Sequence, residues 1–167
     1  TIALALALAT HPDARCSPER CLEIAQAIVH AAAKHGVPSP LLAGVVLVET
    51  GGRTVIARRR GGCVVGVAQL MVRRCKRARV RELRPIDANI TAAAEHLATR
   101  REWCHLRKWR RICARGWHAP YNARSPRWAR MVKRRYRQVM RTVARVQYLI
   151  DLAGEETDAN PSYSIAA

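Results

Sequence analysis

Apolar residues recur at helical spacing in three segments of the chain, and each of these segments begins at a Ser-Pro pair. The Ser hydroxyl can cap free backbone N–H groups, and Pro suits the first position of a helix. The first predicted helix begins at Ser17-Pro18, runs to about His35 and ends at Gly36, a residue suited to the left-handed conformation. Its apolar positions are Leu22, Ala25, Ile28, Val29 and Ala32.

The second predicted helix begins at Ser39-Pro40 and is apolar on nearly every side, which is typical of a buried helix. It ends near Glu49, just before Gly51-Gly52 breaks the chain into a loop. Burial at this position raises the pKa of a carboxyl group. A Glu that keeps its proton beside a cleft can protonate the leaving oxygen of a glycosidic bond, so Glu49 is the best-placed catalytic candidate. The sequence indicates no convincing second carboxylate for a two-acid mechanism.

The longest predicted helix begins at Ser125-Pro126 and runs to about Ile150. Its apolar stripe contains Trp128, Met131, Val132, Val139, Met140, Val143, Val146 and Ile150. Its opposite face carries Arg130, Arg134, Arg137, Arg141 and Arg145. The pattern favours a helix that packs on a core and exposes a basic back over a helix that lies on a membrane.

The remaining segments indicate a mainly α fold with a small irregular or β-hairpin region between about residues 53 and 67. That region is Gly-rich and contains short β-branched runs. A further helix is expected from about Ile90 to Cys104, capped by Asp87 or Asn89. The apolar residues are mainly Ala, Val and Leu, with no Phe, and this composition favours packed helices over sheet.

A chain of 167 residues is expected to form one domain, which we place at residues 15–150. Residues 1–14 are interpreted as a leader, the remnant of a signal peptide, because the apolar start ends in the small-x-small pattern Ala7-Leu8-Ala9. The alternative is an ordinary hydrophobic N-terminal helix. Residues 151–167 turn acidic and polar, and we expect a disordered tail there.

The net charge of +18 and the pI near 11.2 create a positive field that attracts polyanions such as nucleic acid, anionic lipid or a bacterial cell wall. The excess is nearly all Arg, a bias that genome base composition also produces. The six cysteines form up to three disulfides in an exported chain and are free thiols in a cytosolic one. Cys104-His105 with Cys113 lacks a Cys-x-x-Cys unit, so a disulfide is favoured over zinc, and no metal or cofactor is expected.

Five segments, in a fixed order, resemble the lysozyme-like domain of soluble lytic transglycosylases, in the superfamily of the goose-type lysozymes. Ala33–Leu42 resembles the lead into the catalytic helix, and Glu49-Thr50-Gly51-Gly52 is similar to that family's Glu-Ser-Gly-Gly motif. Gly66-Val67-Ala68-Gln69-Leu70-Met71 resembles the Gly-Leu-Met-Gln segment. Asp87–Leu97 resembles the helix behind the cleft, and Pro120-Tyr121-Asn122-Ala123 resembles the Ala-Tyr-Asn-Ala-Gly motif.

The resemblance implies cleavage of peptidoglycan between N-acetylmuramic acid and N-acetylglucosamine with formation of 1,6-anhydromuramyl ends. It implies Glu49 as catalytic acid and base, and Thr50, Gln69, Tyr121 and Asn122 as substrate-binding residues. Several departures bear on activity: Thr50 replaces Ser, Val67-Ala68 replaces Leu-Met, Pro120 precedes the Tyr, and Arg124 stands where Gly is usual.

The implied partner is peptidoglycan glycan strands, acted on by a monomer in the periplasm or outside the cell, alone or beside a secretion or conjugation apparatus. One alternative is a divergent module that binds glycan without cleaving it. A second is a nucleic-acid binder whose Trp103, Trp109, Trp117 and Trp128 stack bases, although the export-like N-terminus opposes a stable nucleic-acid partner. A third is a hydrolase on the same scaffold.

Overall fold

The computed structural model describes residues 1–104 and 125–158. Six helices lie in this part of the chain: α1 (Ile2–Ala9), α2 (Pro18–His35), α3 (Ser39–Glu49), α4 (Arg77–Glu82), α5 (Ile86–Trp103) and α6 (Pro126–Asp158). Three strands, β1 (Val55–Arg59), β2 (Gly62–Gly66) and β3 (Leu70–Arg73), form an antiparallel sheet in the order β1-β2-β3. The expected mainly α fold with a small β region is confirmed. The β region is larger than expected, because the third strand carries it to Arg73.

Two of the three Ser-Pro pairs cap helices as predicted. The Ser17 hydroxyl accepts a hydrogen bond from the Arg20 N–H at 3.4 Å, and the Ser125 hydroxyl accepts one from the Trp128 N–H at 3.1 Å. Gly36 ends α2 in the left-handed conformation with φ of 61°. Helix α3 differs, because it begins at Ser39 itself and makes no side-chain cap hydrogen bond.

Helix α3 lies in the middle of the molecule, and its residues from Leu41 to Leu47 are all buried. Its most extensive packing is against α6, while α2 packs against α5 and α1. Gly44 permits the close approach of α3 and α6, because a Cβ at this position would lie 3.1 Å from the Tyr136 backbone nitrogen. The buried helix places its last residue, Glu49, at the edge of the core.

The apolar segment at the start of the chain forms helix α1, which is part of the core. Ala3, Leu4, Ala7 and Leu8 are buried, and α1 packs against both α2 and α6. This packing corresponds to the alternative of a hydrophobic N-terminal helix. None of the helices in the described ranges combines the length and apolar character needed to span a bilayer.

Helix α6 packs on the core through part of the predicted stripe, whose members Trp128, Val132 and Val139 are buried. The prediction is wrong for Met131, Met140 and Ile150, which are exposed. At ~1.5 Å per residue, 33 residues of α6 span roughly 50 Å and 11 residues of α3 roughly 16 Å, so α6 extends well beyond its main partner.

The same helix continues to Asp158, beyond the predicted end near Ile150, so the segment 151–158 is not the disordered tail that we expected. The Gln147 amide donates to the Asp151 carboxylate at 2.8 Å, a hydrogen bond across one turn that supports the continuation. Residues 159–167, the rest of the predicted tail, lie outside the described residues.

Cysteine pairing follows the expectation of disulfides in part. Cys16 and Cys21 form a disulfide, and Cys104 is also disulfide-bonded. Cys63 and Cys75 are free thiols, and a hydrogen bond between them raises the pKa of Cys63. His105 and Cys113, which the sequence analysis considered together with Cys104, lie outside the described residues.

Candidate active site

Glu49, at the end of α3, opens onto a cavity of about 890 Å³. The sheet and α5 supply most of the other side chains around this cavity, among them Gln69 from the β2–β3 turn. Glu49 as a residue is half-buried, so it lies at the boundary between the core and the open cavity. This placement matches the sequence prediction of an acid at the end of a buried helix.

The Glu49 carboxylate accepts a hydrogen bond from the Trp128 indole N–H, with 2.7 Å between Nε1 and Oε1. Trp128 is buried in the first turn of α6, where the Ser125 hydroxyl caps its backbone N–H. The sequence assigned Trp128 to the core-facing stripe and, under the nucleic-acid alternative, to base stacking, but not to the active site. A buried indole N–H requires an acceptor, so a buried Trp128 indicated that a hydrogen-bond partner lies nearby. Nothing in the sequence identified that partner as Glu49.

Three surroundings act on the pKa of Glu49, and their net effect is to raise it. Burial is the largest and favours the neutral acid, whereas the Trp128 hydrogen bond and the positive charge of Arg59 favour the carboxylate. Burial thus favours the protonated acid, while the hydrogen bond and the charge of Arg59 stabilise the carboxylate that remains after the proton is lost. Both properties are needed in a side chain that serves as an acid and then as a base.

Replacing Trp128 with Phe is expected to raise the pKa of Glu49 further, because the substitution removes a hydrogen bond that favours the carboxylate. The limb of the activity profile that reports loss of the Glu49 proton then moves to higher pH. The pH dependence of kcat/KM on solubilised peptidoglycan measures this shift. Met131→Leu, an exposed change one turn away on α6, serves as control. A limb that stays in place or moves to lower pH contradicts the assignment.

The loop after Glu49 is held by internal hydrogen bonds. The buried Thr50 hydroxyl donates to the Val67 carbonyl at 2.8 Å and accepts from the Gly52 N–H at 3.2 Å. The hydroxyl predicted to bind substrate is therefore engaged in joining the end of α3 to the β2–β3 turn. Gly51, at φ of 65°, has no room for a side chain, because a Cβ would lie 2.3 Å from the Asp13 carbonyl oxygen.

Gln69, the second predicted substrate-binding residue, lines the same cavity as Glu49. Its backbone has φ of 53°, and its amide nitrogen donates to the Val55 carbonyl at 3.1 Å and the Gly66 carbonyl at 2.9 Å. These bonds use both amide hydrogens and fix the orientation of the side chain. The amide oxygen is the group that remains to accept a hydrogen bond from a ligand.

Asn89 positions this wall of the cavity, although it was predicted only as a possible helix cap. Helix α5 begins at Ile86, so Asn89 lies inside it and is fully buried. Its side chain donates to the Val65 carbonyl at 2.9 Å and the Leu83 carbonyl at 3.0 Å, and it accepts from the Ala68 N–H at 2.8 Å. Asn89 thus holds the residues flanking Gln69 against α5.

Replacing Asn89 with Ala is expected to lower the free energy of unfolding by about 3 kcal/mol, because each buried polar group left unsatisfied costs roughly 1–3 kcal/mol. Urea denaturation followed by circular dichroism measures the loss. Asn89→Asp is a matched variant that keeps the acceptor for Ala68 and loses both donors, and it is also expected to destabilise. A loss below about 1 kcal/mol for Asn89→Ala would show that the three hydrogen bonds contribute little.

Helix α5 forms a wall of the cavity through Glu95, His96, Thr99 and Arg100. The resemblance implied only that this helix packs behind the cleft, and the sequence indicated no second carboxylate for the site. The structure adds to both points, because it places Glu95 of this helix on the same cavity as Glu49. The other two predicted substrate-binding residues, Tyr121 and Asn122, lie outside the described residues, as does Arg124.

Comparisons of the chain with protein-family models, with curated proteins and with solved structures find no match. The function of the site is therefore inferred from its geometry and from the five sequence segments described above.

Proposed function

We propose that this protein is a peptidoglycan lytic transglycosylase that cleaves the bond between N-acetylmuramic acid and N-acetylglucosamine. One observation carries the proposal: Glu49 ends a buried helix, has a raised pKa, and opens onto a cavity of about 890 Å³. A volume of this size is at the upper end of the ~300–1,000 Å³ typical of ligand sites, so it suits several sugar units.

In the proposed mechanism, neutral Glu49 donates its proton to the glycosidic oxygen as the bond to the anomeric carbon breaks. The acetamido group of the muramyl unit supports the positive charge that develops on this carbon. The Glu49 carboxylate then removes the proton of the muramyl C6 hydroxyl, whose oxygen bonds to the anomeric carbon. The product is a 1,6-anhydro ring, and Glu49 regains its proton.

The hydrogen bond from Trp128 supports the second half of this mechanism. It stabilises the carboxylate that exists between the two proton transfers, and it fixes the carboxyl plane relative to the cavity. Burial of Glu49 supports the first half, because it favours the protonated acid. One residue thus meets both requirements.

Glu95 favours a second candidate function, which is hydrolysis on the same scaffold. An inverting glycosidase needs a second carboxylate that activates water on the opposite side of the sugar, and Glu95 lies on the same cavity as Glu49. In that case the product has a free reducing end in place of the anhydro ring.

Mass spectrometry of purified peptidoglycan after incubation with the full chain tests the proposal. Anhydromuramyl ends are expected, each lighter than the corresponding reducing end by one water molecule. Reducing ends would instead identify the hydrolase. Glycan binding with neither product would identify a binding module.

The proposal includes a location of the protein in the periplasm or outside the cell. The Cys16–Cys21 disulfide supports this location, because disulfides persist in oxidising compartments.

A further inference from the structure

The charged side chains around the cavity are unevenly distributed between its walls. The β1–β2 hairpin contributes two adjacent arginines, Arg59 and Arg60, and α4 contributes Arg79. Helix α5 contributes groups of both signs, the carboxylate of Glu95 and the guanidinium of Arg100. The hairpin side of the cavity is therefore strongly cationic, and the acidic group lies on another wall.

Arg79 and the hairpin arginines differ in their pairing. Arg79 forms an ion pair with Glu82 of the same helix. Arg59 and Arg60 are both exposed, and in the part of the chain that the structure describes neither has a hydrogen-bond or ion-pair partner. Both residues line the cavity, and their like charges together attract an anion that enters it. The pair is thus the part of the cavity suited to a negatively charged group on a ligand.

The hairpin carries a third arginine, Arg58, which does not line the cavity. Successive side chains of a strand point to opposite faces, so Arg58 and Arg59 project to different sides of β1. Arg58 instead lies near Cys63, its partner on the neighbouring strand β2. Arg58 is therefore an arginine of the same hairpin that lies away from the cavity, and it provides a matched control for the pair.

We propose that Arg59 and Arg60 bind carboxylates carried on the lactyl arm of muramic acid, so that the cleft selects muramyl glycan over neutral glycan. This inference rests on the proposed function and names the part of the substrate that orients it. Guanidinium groups match carboxylates in shape and form two parallel hydrogen bonds with them. The contact directs the lactyl arm toward the hairpin and sets which side of the sugar faces Glu49.

Two sources can supply this carboxylate: the lactyl group of a peptide-free muramyl unit, or the free carboxylates of an attached stem peptide. Three tetrasaccharide probes distinguish them. The first is neutral chitotetraose, the second is the alternating N-acetylglucosamine and N-acetylmuramic acid tetrasaccharide without peptides, and the third is the same glycan with its stem peptides. Binding of each probe to the full chain is measured by calorimetry, with Glu49→Gln present in every variant to prevent turnover.

Arg59→Gln combined with Arg60→Gln is expected to weaken binding of the carboxylate-bearing probes by about tenfold or more. Binding of chitotetraose is expected to change by less than about twofold, and the matched Arg58→Gln control is expected to leave all three affinities unchanged. The lactyl carboxyl is an amide in the third probe, so a loss only on the peptide-free muramyl probe assigns the lactyl carboxylate. A loss only on the third probe assigns the stem-peptide carboxylates, and a loss on both shows that the arginine pair accepts either carboxylate. The proposal is overturned by an equal loss on chitotetraose, by no loss on any probe, or by no binding of any probe.

Product analysis with unmodified Glu49 separates this inference from the proposed function. If anhydromuramyl ends form while the arginine substitutions leave muramyl binding intact, the inference fails and the function stands. If no cleavage occurs while the arginine substitutions abolish selective muramyl binding, the proposed activity fails and the carboxylate site stands.

Discussion

Glu49→Gln is expected to lower the rate of anhydromuramyl formation by about 10³-fold or more, because one carboxyl group performs both proton transfers. Gln keeps the size of the side chain and an acceptor for the Trp128 indole, so the cavity wall is expected to persist. The rate is measured as anhydromuramyl ends released from purified peptidoglycan per unit time. Residual activity within about tenfold of the unsubstituted chain would exclude Glu49 as the acid and base.

Glu95→Gln is the matched control for this experiment, since it changes the other glutamate of the cavity in the same way. If Glu49 acts alone, Glu95→Gln retains most of the activity and the product remains the anhydro form. A comparable loss for both substitutions, together with reducing ends in the unsubstituted chain, would instead support the two-carboxylate hydrolase.

Glu49→Gln also has a predictable effect on the stability of the fold. Burial raises the pKa of Glu49 above 4.5, so ionised Glu49 is less favourable in the folded chain than in the unfolded chain. The unsubstituted protein therefore loses stability as the pH rises through the pKa of Glu49, and Glu49→Gln does not share this loss. We expect the Tm of Glu49→Gln to exceed that of the unsubstituted chain at neutral pH, and the difference to disappear at low pH.

The sequence predicts the parts of the site that depend on neighbouring residues. The start of α2 at Pro18, its end at Gly36 and the position of Glu49 after a buried helix all follow from local chemistry. The Ser125 cap at the start of α6 is of the same kind. Each of these features requires only a few consecutive side chains to specify it.

The parts that the sequence did not predict depend on distant residues that meet only in the fold. Trp128 is 79 residues from Glu49, and no periodicity indicates that the indole reaches the carboxyl group. Asn89 is held by two backbone groups near the β2–β3 turn, those of Val65 and Ala68, and by the Leu83 carbonyl after α4, and Glu95 reaches the cavity because of the way α5 packs. Strand β3, with four residues, is too short for its alternation to be distinctive.

Removal of residues 1–9 is expected to lower the free energy of unfolding by at least ~5 kcal/mol, because each buried Leu alone is worth roughly 2–5 kcal/mol. Leu4 and Leu8 are 5% and 2% exposed, respectively, and α1 packs against α2 and α6. Since whole domains have stabilities of only ~5–15 kcal/mol, the shortened chain is expected to be largely unfolded at 37 °C. Thermal denaturation of the two chains, followed by circular dichroism, measures the difference.

Two single substitutions in the full chain show whether the loss arises from core packing. Leu8→Ala is expected to cost about 3 kcal/mol, whereas Leu6→Ala, at a position 45% exposed on the same helix, is expected to cost less than about 1 kcal/mol. The comparison controls for helix propensity, because both changes are Leu to Ala. If the shortened chain instead keeps its Tm and Leu8→Ala has no effect, α1 is dispensable for folding and the leader interpretation of residues 1–14 is favoured. If the shortened chain and Leu8→Ala both lose stability, α1 contributes to the core. Because α1 packs against α6, it then also helps to hold Trp128 of α6 against Glu49.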